Sequence, residues 1–181
     1  MSEFAYADFI NGQYEPLLST DQIQKRITEL AQEISDDYEN NCPVLIGVLN
    51  GAFIFMGDLV KQLTINCEVD FIKISSYGKA KKSSGKIDVL KDIDCHLEGR
   101  DVLVIEDIVD SGLSVKFLEQ KIKSCEPNSL KFVSLLQKKD SAQVDFEIDY
   151  LGFWIPNEFV VGYGLDFAQK LRNLPAIYIL K

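Results

Sequence analysis

The chain has 181 residues, 46% of them hydrophobic, and its 28 acidic against 19 basic residues give a formal net charge of −9. This content supports a folded domain with a sizeable core, and the acidic balance disfavours nucleic-acid binding, which needs clustered lysine and arginine. No apolar run is long enough to span a bilayer, and the first ten residues, with two acids and no base, are unlike a secretory signal, so we expect a cytoplasmic protein without membrane contact.

The first half of the chain alternates helix and strand patterns. Apolar residues at helical spacing predict helices, and short runs rich in β-branched residues predict buried strands. In chain order the predicted elements are a helix over 19–38, a strand over 44–49, a helix over 52–63 and a strand over 67–74. Ser19 with Gln22 forms a capping box at the start of the first helix, and Asn50-Gly51 makes the turn after the first strand.

A polar segment over 77–88 interrupts this alternation. It is rich in glycine, serine and lysine and can contribute little to a core. Two interpretations remain open, an exposed hairpin loop or a lid, because long polar loops in compact domains are often lids.

The second half resumes the alternation. The predicted elements are a strand over 101–105, a helix over 113–125, a strand over 130–137 and a last strand over 176–180. Strands that alternate with helices predict an α/β fold with a parallel sheet covered on both faces. Because no repeat, linker or low-complexity segment divides the chain, we expect one domain over 1–181.

The stretch VLVIEDIVDSGLS, over 102–114, is the strongest functional signal. Ligands of open α/β sheets bind outside the carboxyl ends of the strands, and this stretch runs from a predicted strand into a predicted helix. Free amide groups and the helix dipole at the helix start favour an anion, and Gly112 allows close approach of the backbone. The segment from Asp110 to Ser114 therefore predicts a phosphate site.

Two carboxylates, Glu106 and Asp107, precede this loop and would repel a bare anion. A ligand with a phosphate at one end and hydroxyls nearby, such as ribose 5-phosphate, resolves the conflict, because carboxylates accept hydrogen bonds from hydroxyls. Negative charge beneath a ribose ring would also stabilise a cationic C1′. Asp110 lies between the two groups and is available as an acid or base. An acidic turn with an N-cap serine is the ordinary alternative, but the combination favours function.

The same stretch resembles the phosphoribosyl-pyrophosphate (PRPP) signature of type I phosphoribosyltransferases. LNG (49–51), DFIKISSYG (70–78), LLQKK (135–139) and IPNEFVVGYGLDF (155–167) are similar, in order and spacing, to segments of the hypoxanthine-guanine phosphoribosyltransferases. The resemblance implies the type I phosphoribosyltransferase fold: a mainly parallel twisted sheet flanked by helices, a small hood from the N-terminal and C-terminal segments, and a mobile lid loop at about 75–88.

The resemblance also implies the reaction. The family transfers the 5-phosphoribosyl group of PRPP to hypoxanthine or guanine, with Mg²⁺, and yields IMP or GMP and pyrophosphate in purine salvage. A homodimer or homotetramer is expected. Which of hypoxanthine, guanine and xanthine ranks first stays open.

Residue roles follow from the resemblance alone. Asp110 is the expected general base facing purine N7. The expected ribose and PRPP ligands are Glu106, Asp107, Ser111, Gly112, Leu113 and Ser114. The expected pyrophosphate ligands are Asn50, Gly51 and Arg172, and the expected lid pair is Ser76 and Tyr77. The expected base-binding residues are Lys138, which would select a 6-oxopurine through O6, Phe159, which would stack on the base, Val160 and Asp166. The expected metal ligands are Glu106, Asp107 and Asp166.

Each of these residues also has an ordinary interpretation, and the order along the chain is what favours the functional one. Lys138 could end a solvated strand, Phe159 could belong to the core, and Arg172 could be a surface residue. The Leu49–Asn50 peptide matches a position where the family often has a non-proline cis bond. Asn50 and Leu113 stand where some members have lysine, so a role for those lysine side chains does not transfer.

Three alternatives remain. A xanthine-preferring enzyme and a uracil phosphoribosyltransferase that doubles as an RNA-binding attenuation regulator would share the PRPP loop. A non-catalytic binding protein of the same fold is the third, and Glu106, Asp107 and Asp110 weigh against it.

Overall fold

The computed structural model describes residues 14–76, 87–139 and 147–181. Within these ranges the elements in chain order are β1 (Tyr14–Leu18), α1 (Thr20–Asp37), β2 (Val44–Leu49), α2 (Phe53–Gln62), β3 (Glu68–Ser76), β4 (Ile87–Lys91), β5 (Asp101–Val109), α3 (Leu113–Lys123), β6 (Ser129–Lys138), β7 (Tyr150–Ile155), β8 (Val160–Val161) and β9 (Ile177–Leu180). None of the described helices combines the length and the apolar character needed to cross a membrane.

Six strands form the main sheet in the order β4-β3-β2-β5-β6-β7. Neighbours from β3 to β7 pair in parallel, and β4 pairs antiparallel with β3 at the edge. The central strand β2 is buried along nearly its whole length, which is why its sequence is a continuous apolar run. The predicted α/β fold with a mainly parallel sheet is confirmed.

Helices cover both faces of this sheet. Side chains alternate along a strand, so Leu103 and Ile105 of β5 join one core cluster with α1 and α2. Val102 and Val104 join the other cluster with α3. The apolar residues of each helix fall on one face because of the helical period, and this pattern was the basis of the prediction.

A second, three-stranded sheet in the order β1-β9-β8 forms the hood. It joins the two ends of the described chain, since Tyr14 of β1 pairs with Leu180 of β9. Val160 and Ile177 of this sheet lie in the same core cluster as Ile105 of the main sheet. The hood therefore packs on the face that carries α1 and α2, and its strands β1 and β9 lie near the two ends of the described chain.

The start of α1 and the length of β5 show where local patterns succeed and fail. The predicted capping box is present: the Ser19 amide donates to Gln22 Oε1 at 2.9 Å, and the Gln22 amide donates to Ser19 Oγ at 3.2 Å. The predicted end of β5, at Ile105, is wrong. β5 continues to Val109, because its backbone goes on pairing with β6, and this pairing places Glu106 opposite Ser134. Polar side chains did not end the strand, since ladder hydrogen bonds involve only the backbone.

The polar segment is described only at its flanks. Ser75 and Ser76 end β3 and pair with Asp88 and Ile87 of β4. The expected lid residue Tyr77 and the rest of 77–86 lie outside the described residues. Hairpin loop and lid therefore both remain predictions.

Candidate functional site

A cleft of about 310 Å³ opens at the carboxyl end of the main sheet, beneath the hood. Its lining residues are Asn50, Gly51, Asp107, Ile108, Asp110, Lys138, Phe159, Val160, Leu165, Asp166 and Arg172. Nine of these eleven were singled out from the sequence. The other two, Ile108 and Leu165, are apolar wall residues, and their sequence pattern does not distinguish them from core residues.

Parallel pairing explains why these distant residues meet. Gly51 follows β2, Asp110 follows β5, and Lys138 ends β6. Because β2, β5 and β6 are neighbours running in the same direction, their carboxyl ends converge on one edge of the sheet. The hood then supplies the opposite wall through Phe159, which adjoins β8.

A lysine and an aspartate form an ion pair in the cleft wall. Lys138 Nζ lies 3.0 Å from Asp110 Oδ2, and the Lys138 side chain is only 12% exposed against 58% for Asp110. The ammonium group can only donate hydrogen bonds, and the ionised carboxylate can only accept them. The pair can therefore bind a ligand edge that carries an acceptor beside a donor.

Two glycines allow very close packing at the cleft floor. A Cβ on Gly51 would lie 1.7 Å from Asp107 Oδ2, and a Cβ on Gly164 would lie 2.1 Å from the Gly51 carbonyl oxygen. Either side chain would force this part of the site apart. The Leu49–Asn50 peptide that enters this turn is cis, which the sequence had left open.

Glu106 is buried and Asp107 is half-buried, and the carboxyl groups of both have raised pKa values. Burial raises the pKa of Glu106 well above its ordinary value, and the neighbouring Asp107 charge adds to the effect. Burial likewise raises the pKa of Asp107, to about 6, although Arg172 opposes the rise. Perturbed carboxyl groups at a cleft are typical of functional sites.

The two carboxyl groups do not face the same way. Successive strand residues point to opposite faces, so Glu106 falls on the face of Val104, whereas Asp107 falls on the face of Ile105. Asp107 lines the cleft, but Glu106, only 6% exposed, is not part of its wall. That both residues hydrogen-bond the hydroxyls of one ligand stays a prediction.

Arg172 closes a tight turn at the cleft rim. Its Nη2 lies 2.6 Å from Asp166 Oδ1, and its Nη1 donates to the Gly164 carbonyl oxygen at 2.7 Å. Asp166 also accepts from the Gln169 amide at 2.8 Å. Ala168 and Gln169 have positive φ angles of 50° and 67°, which no sequence signal indicated, since neither is glycine or asparagine.

The predicted phosphate loop begins α3. Gly112 is the N-cap, with a φ of 71° that glycine adopts without strain, and no side chain caps the helix. Ser111 and Leu113 are exposed, and Ser114 is half-buried. The first amide groups of a helix have no intrahelical acceptor, so this loop presents donors to solvent directly after Asp110.

An aromatic pair lies at the hood side of the cleft, where Phe159 is a lining residue. Phe159 is 49% exposed, and its ring meets that of Phe167 edge to face, with centroids 6.0 Å apart. The edge contact leaves a face of Phe159 available to a flat ligand. Phe167 was not singled out from the sequence.

The carboxylates of the cleft fit a cation that takes its remaining ligands from a bound phosphate compound. Within the described ranges, no group of three or more histidine, cysteine, aspartate and glutamate side chains is arranged to hold a metal ion. Asp107 and Asp166 nevertheless line one cleft. Mg²⁺ is commonly held by one or two carboxylates together with substrate phosphates, so this donor set fits Mg²⁺.

Comparison with known proteins assigns the chain to a family. A model of the phosphoribosyl transferase domain matches residues 13–168. The bifunctional protein TilS/HprT of Listeria monocytogenes is 50% identical over 165 residues, which are 91% of this chain but 26% of that protein. This chain thus spans about a quarter of that relative's length.

Two further relatives match over nearly their whole length. The hypoxanthine-guanine phosphoribosyltransferase of Bacillus subtilis is 46% identical over 91% of this chain and 92% of its own. The crystal structure of a hypoxanthine-guanine phosphoribosyltransferase from Bacillus anthracis superposes with a TM-score of 0.88 at 44% identity, covering 92% of this chain and 98% of that one. The chain therefore belongs to the type I phosphoribosyltransferase family and, within it, to the hypoxanthine-guanine phosphoribosyltransferases.

Proposed function

We propose that this protein transfers the 5-phosphoribosyl group of PRPP to hypoxanthine, and also to guanine, in purine salvage. Pyrophosphate is released, and IMP or GMP is formed. The observation that carries the proposal is the Lys138–Asp110 pair, 3.0 Å apart, in the same cleft as Asp107. Membership of the family supports it.

The pair fits one edge of a 6-oxopurine. That edge presents the O6 acceptor beside N7, which is a donor when it carries the proton. O6 accepts from Lys138 Nζ, and N7–H donates to Asp110. Adenine would present an amino group to the ammonium, two donors facing each other. Phe159 stacks on the ring, and the Val160 backbone bonds the far edge.

PRPP occupies the rest of the cleft and the adjoining loop. The amides of Ser111–Ser114 bind the 5′-phosphate, since helix N-termini favour anions. Asp107, with Glu106 behind it, takes the ribose hydroxyls. The backbone of Asn50 and Gly51 and the guanidinium of Arg172 bind the pyrophosphate.

The side chains then support a substitution at C1′. The bond from C1′ to the pyrophosphate oxygen breaks, and positive charge develops on the ribose ring. The carboxyl groups of Asp107 and Glu106 stabilise that charge once they are ionised. As purine N9 bonds to C1′, the N7 proton passes to Asp110, which acts as general base.

Magnesium is the family's usual cofactor, and the carboxylates of this chain fit it. Asp166 and Asp107 would hold the ion together with oxygens of PRPP, and Glu106 is the third expected ligand. When bound, the ion neutralises charge on the pyrophosphate.

The remaining expectations extend the proposal. The segment from 75 to 86, with Ser76 and Tyr77, closes over the site to exclude water, because a ribosyl cation would react with it. We also propose a homodimer or homotetramer and a cytoplasmic location.

A competition assay tests the function. Hypoxanthine, guanine, xanthine, adenine and uracil are each supplied with PRPP and Mg²⁺, and nucleotide formation is measured. We expect turnover of hypoxanthine and guanine and none of adenine or uracil. Turnover of uracil alone would favour the uracil-using alternative, and turnover of xanthine alone the xanthine-preferring one. PRPP binding without turnover of any base would indicate a binding protein.

A further inference from the structure

The turn over 162–165, here called the tyrosine turn, has an unusual backbone. Tyr163 has a φ of 52° and lies between Gly162 and Gly164, whose φ angles are 97° and 100°. The Gly162 and Leu165 backbones exchange hydrogen bonds of 3.0 and 3.1 Å across it. A non-glycine residue in the left-handed region is strained, so contacts elsewhere must hold it there.

The Tyr163 side chain provides such a contact. It is 3% exposed, and its hydroxyl donates to Asp58 Oδ2 of α2 at 2.5 Å. Gln24 of α1 donates to the same carboxylate oxygen at 3.0 Å, and Lys61 Nζ lies 2.6 Å from the other. Burial and the neighbouring carboxylate raise the pKa of Tyr163 far above its ordinary value, so the hydroxyl keeps its proton and remains a donor.

The opposite side of the tyrosine turn touches the cleft floor. Gly164 packs so closely on Gly51 that a Cβ there would lie 2.1 Å from the Gly51 carbonyl oxygen. Gly51 in turn packs under the Asp107 carboxylate. A continuous line of contacts thus runs from Asp58, through the tyrosine turn, to Asp107.

We propose that Asp58 and Tyr163 are positioning residues for PRPP. Their hydrogen bond holds the tyrosine turn against Gly51 and so sets the position of Gly51 and Asp107. Neither residue lines the cleft, so neither touches the substrate. The inference rests on the proposed function, in which Gly51 binds pyrophosphate and Asp107 binds the ribose hydroxyls.

The molecule contains a matched pair elsewhere. Tyr150 is 5% exposed and donates to Asp37 Oδ2 of α1 at 2.5 Å, and Lys131 Nζ lies 3.1 Å from the same oxygen. Lys131 precedes the cleft residue Lys138 by seven residues on β6, a distance of about 23 Å along an extended strand. This pair has the same chemistry as Asp58–Tyr163 but lies at the far end of the sheet.

The two tyrosines give a controlled experiment. Tyr163→Phe and Tyr150→Phe each lose one buried hydroxyl, so we expect similar falls in melting temperature. Only Tyr163→Phe should raise the KM for PRPP, by about tenfold, which is the effect of one hydrogen bond to PRPP lost when Gly51 shifts, with the KM for hypoxanthine little changed. Equal kinetic effects in the two variants, or an unchanged KM for PRPP in Tyr163→Phe, would overturn the proposal.

The aspartate gives an independent comparison. Asp58→Asn keeps an oxygen that accepts from the tyrosine hydroxyl, so it should retain a nearly normal KM for PRPP. Asp58→Ala should reproduce the Tyr163→Phe defect. These two variants decide the question if Tyr163→Phe does not fold, and a normal KM for PRPP in Asp58→Ala would contradict the proposal.

Hydrogen exchange separates this inference from the function. Amides of 50–51 and 162–166 should exchange faster in Tyr163→Phe than in the original protein, and should be unaffected in Tyr150→Phe. Absence of that difference refutes the positioning role whatever the enzyme's substrate. If the original protein turns over no purine but the exchange difference is present, the proposed function fails. The Asp58–Tyr163 hydrogen bond would still be shown to hold Gly51 in position.

Discussion

Carboxyl groups at the two ends of the main sheet have pKa values shifted in opposite directions. At the amino end, Asp70 accepts from the backbone amides of Phe71, Asp94 and Cys95 and from Lys91, and these bonds lower its pKa despite partial burial. At the carboxyl end, burial raises the pKa of Asp107. At Asp70 the protein donors outweigh the effect of burial on the pKa, whereas at Asp107 burial outweighs the backbone donors and Arg172.

The difference separates a structural from a functional use of the same side chain. A carboxylate with a full set of donors lowers the free energy of the folded state. A carboxyl group whose donors do not offset its burial destabilises the unliganded protein when it is ionised, and a ligand that supplies hydroxyls or a cation relieves this cost. At the carboxyl end, the unliganded protein is therefore less stable than it could be, and binding of a ligand offsets that loss.

The largest expected effect follows from Asp110→Asn at the carboxyl end. The amide keeps the shape of the side chain but cannot take the N7 proton, so turnover should fall by about 10²–10⁴-fold. The KM for PRPP should change little. Steady-state kinetics check this, with Asp149→Asn at the amino end as the control. Unchanged turnover would refute the general-base assignment.

Lys138→Ala should weaken the binding of all 6-oxopurines, by about 10–100-fold, because a charged donor to O6 is lost. The measurement is the KM for hypoxanthine, guanine and xanthine at saturating PRPP. Lys139→Ala, which removes the exposed neighbouring lysine, should leave these values unchanged. Retained affinity in Lys138→Ala would dismiss the O6 contact.

Asp70→Asn should destabilise the amino end by about 2 kcal/mol, because an amide group cannot accept on both of its heavy atoms and leaves backbone amides unsatisfied. The lowered pKa of Asp70 contributes stability that is present above its ordinary value of 3.8 and lost as pH falls below it. Denaturant unfolding at pH 7 and pH 3 measures both effects, and the difference between variant and original protein should shrink at pH 3. The control is Asp94→Asn, which removes a mostly exposed carboxylate.

Asp107→Asn should change the free energy of unfolding at pH 7 in the opposite direction to Asp70→Asn. Because the folded-state pKa of Asp107 is raised to about 6, its contribution to stability is present below its ordinary value of 3.8 and lost as pH rises through 6. The variant without ligands should therefore be more stable at pH 7, by about 1–2 kcal/mol, and should bind PRPP poorly. An exposed carboxylate, Glu158→Gln, is the control in thermal unfolding. If Asp107→Asn were less stable than the original protein at pH 7, the proposed difference between the two ends of the sheet would be wrong.

The smallest effect concerns backbone strain at the carboxyl end. Ala168 is exposed and has a φ of 50°, which asparagine tolerates better than alanine. Ala168→Asn should therefore stabilise the protein by about 0.5 kcal/mol. Lys170→Asn lies in the same turn without a positive φ and should give no gain. Equal melting temperatures for the two variants would count against strain at this turn.

Local sequence predicted most of the fold. The bounds of β2 were predicted correctly, because its continuous apolar run reports burial on both faces. The capping box located the start of α1. The end of β5 was missed, since the pairing of its last residues with β6 depends on backbone hydrogen bonds that side-chain polarity does not report.

The site was predicted unevenly. The motif that contains Asp110 and Gly112 was singled out because the strand–loop–helix geometry is local, and Asp110 lines the cleft. Phe167 was missed, because its contact with Phe159 depends on the path of the 160–167 segment, which has no local signature. The Asp58–Tyr163 bond joins residues 105 positions apart, and either residue alone would be interpreted as ordinary.

The sequence by itself determined the alternation of helices and strands, the strand–loop–helix motif over 102–114 and the family. These features depend on periodicity and on contiguous motifs, which are visible in the order of residues along the chain. Only the tertiary structure decided that Lys138 meets Asp110 and that Gly51 lies between Asp107 and Gly164. Those relations depend on how strands align side by side, and packing between distant segments sets that alignment.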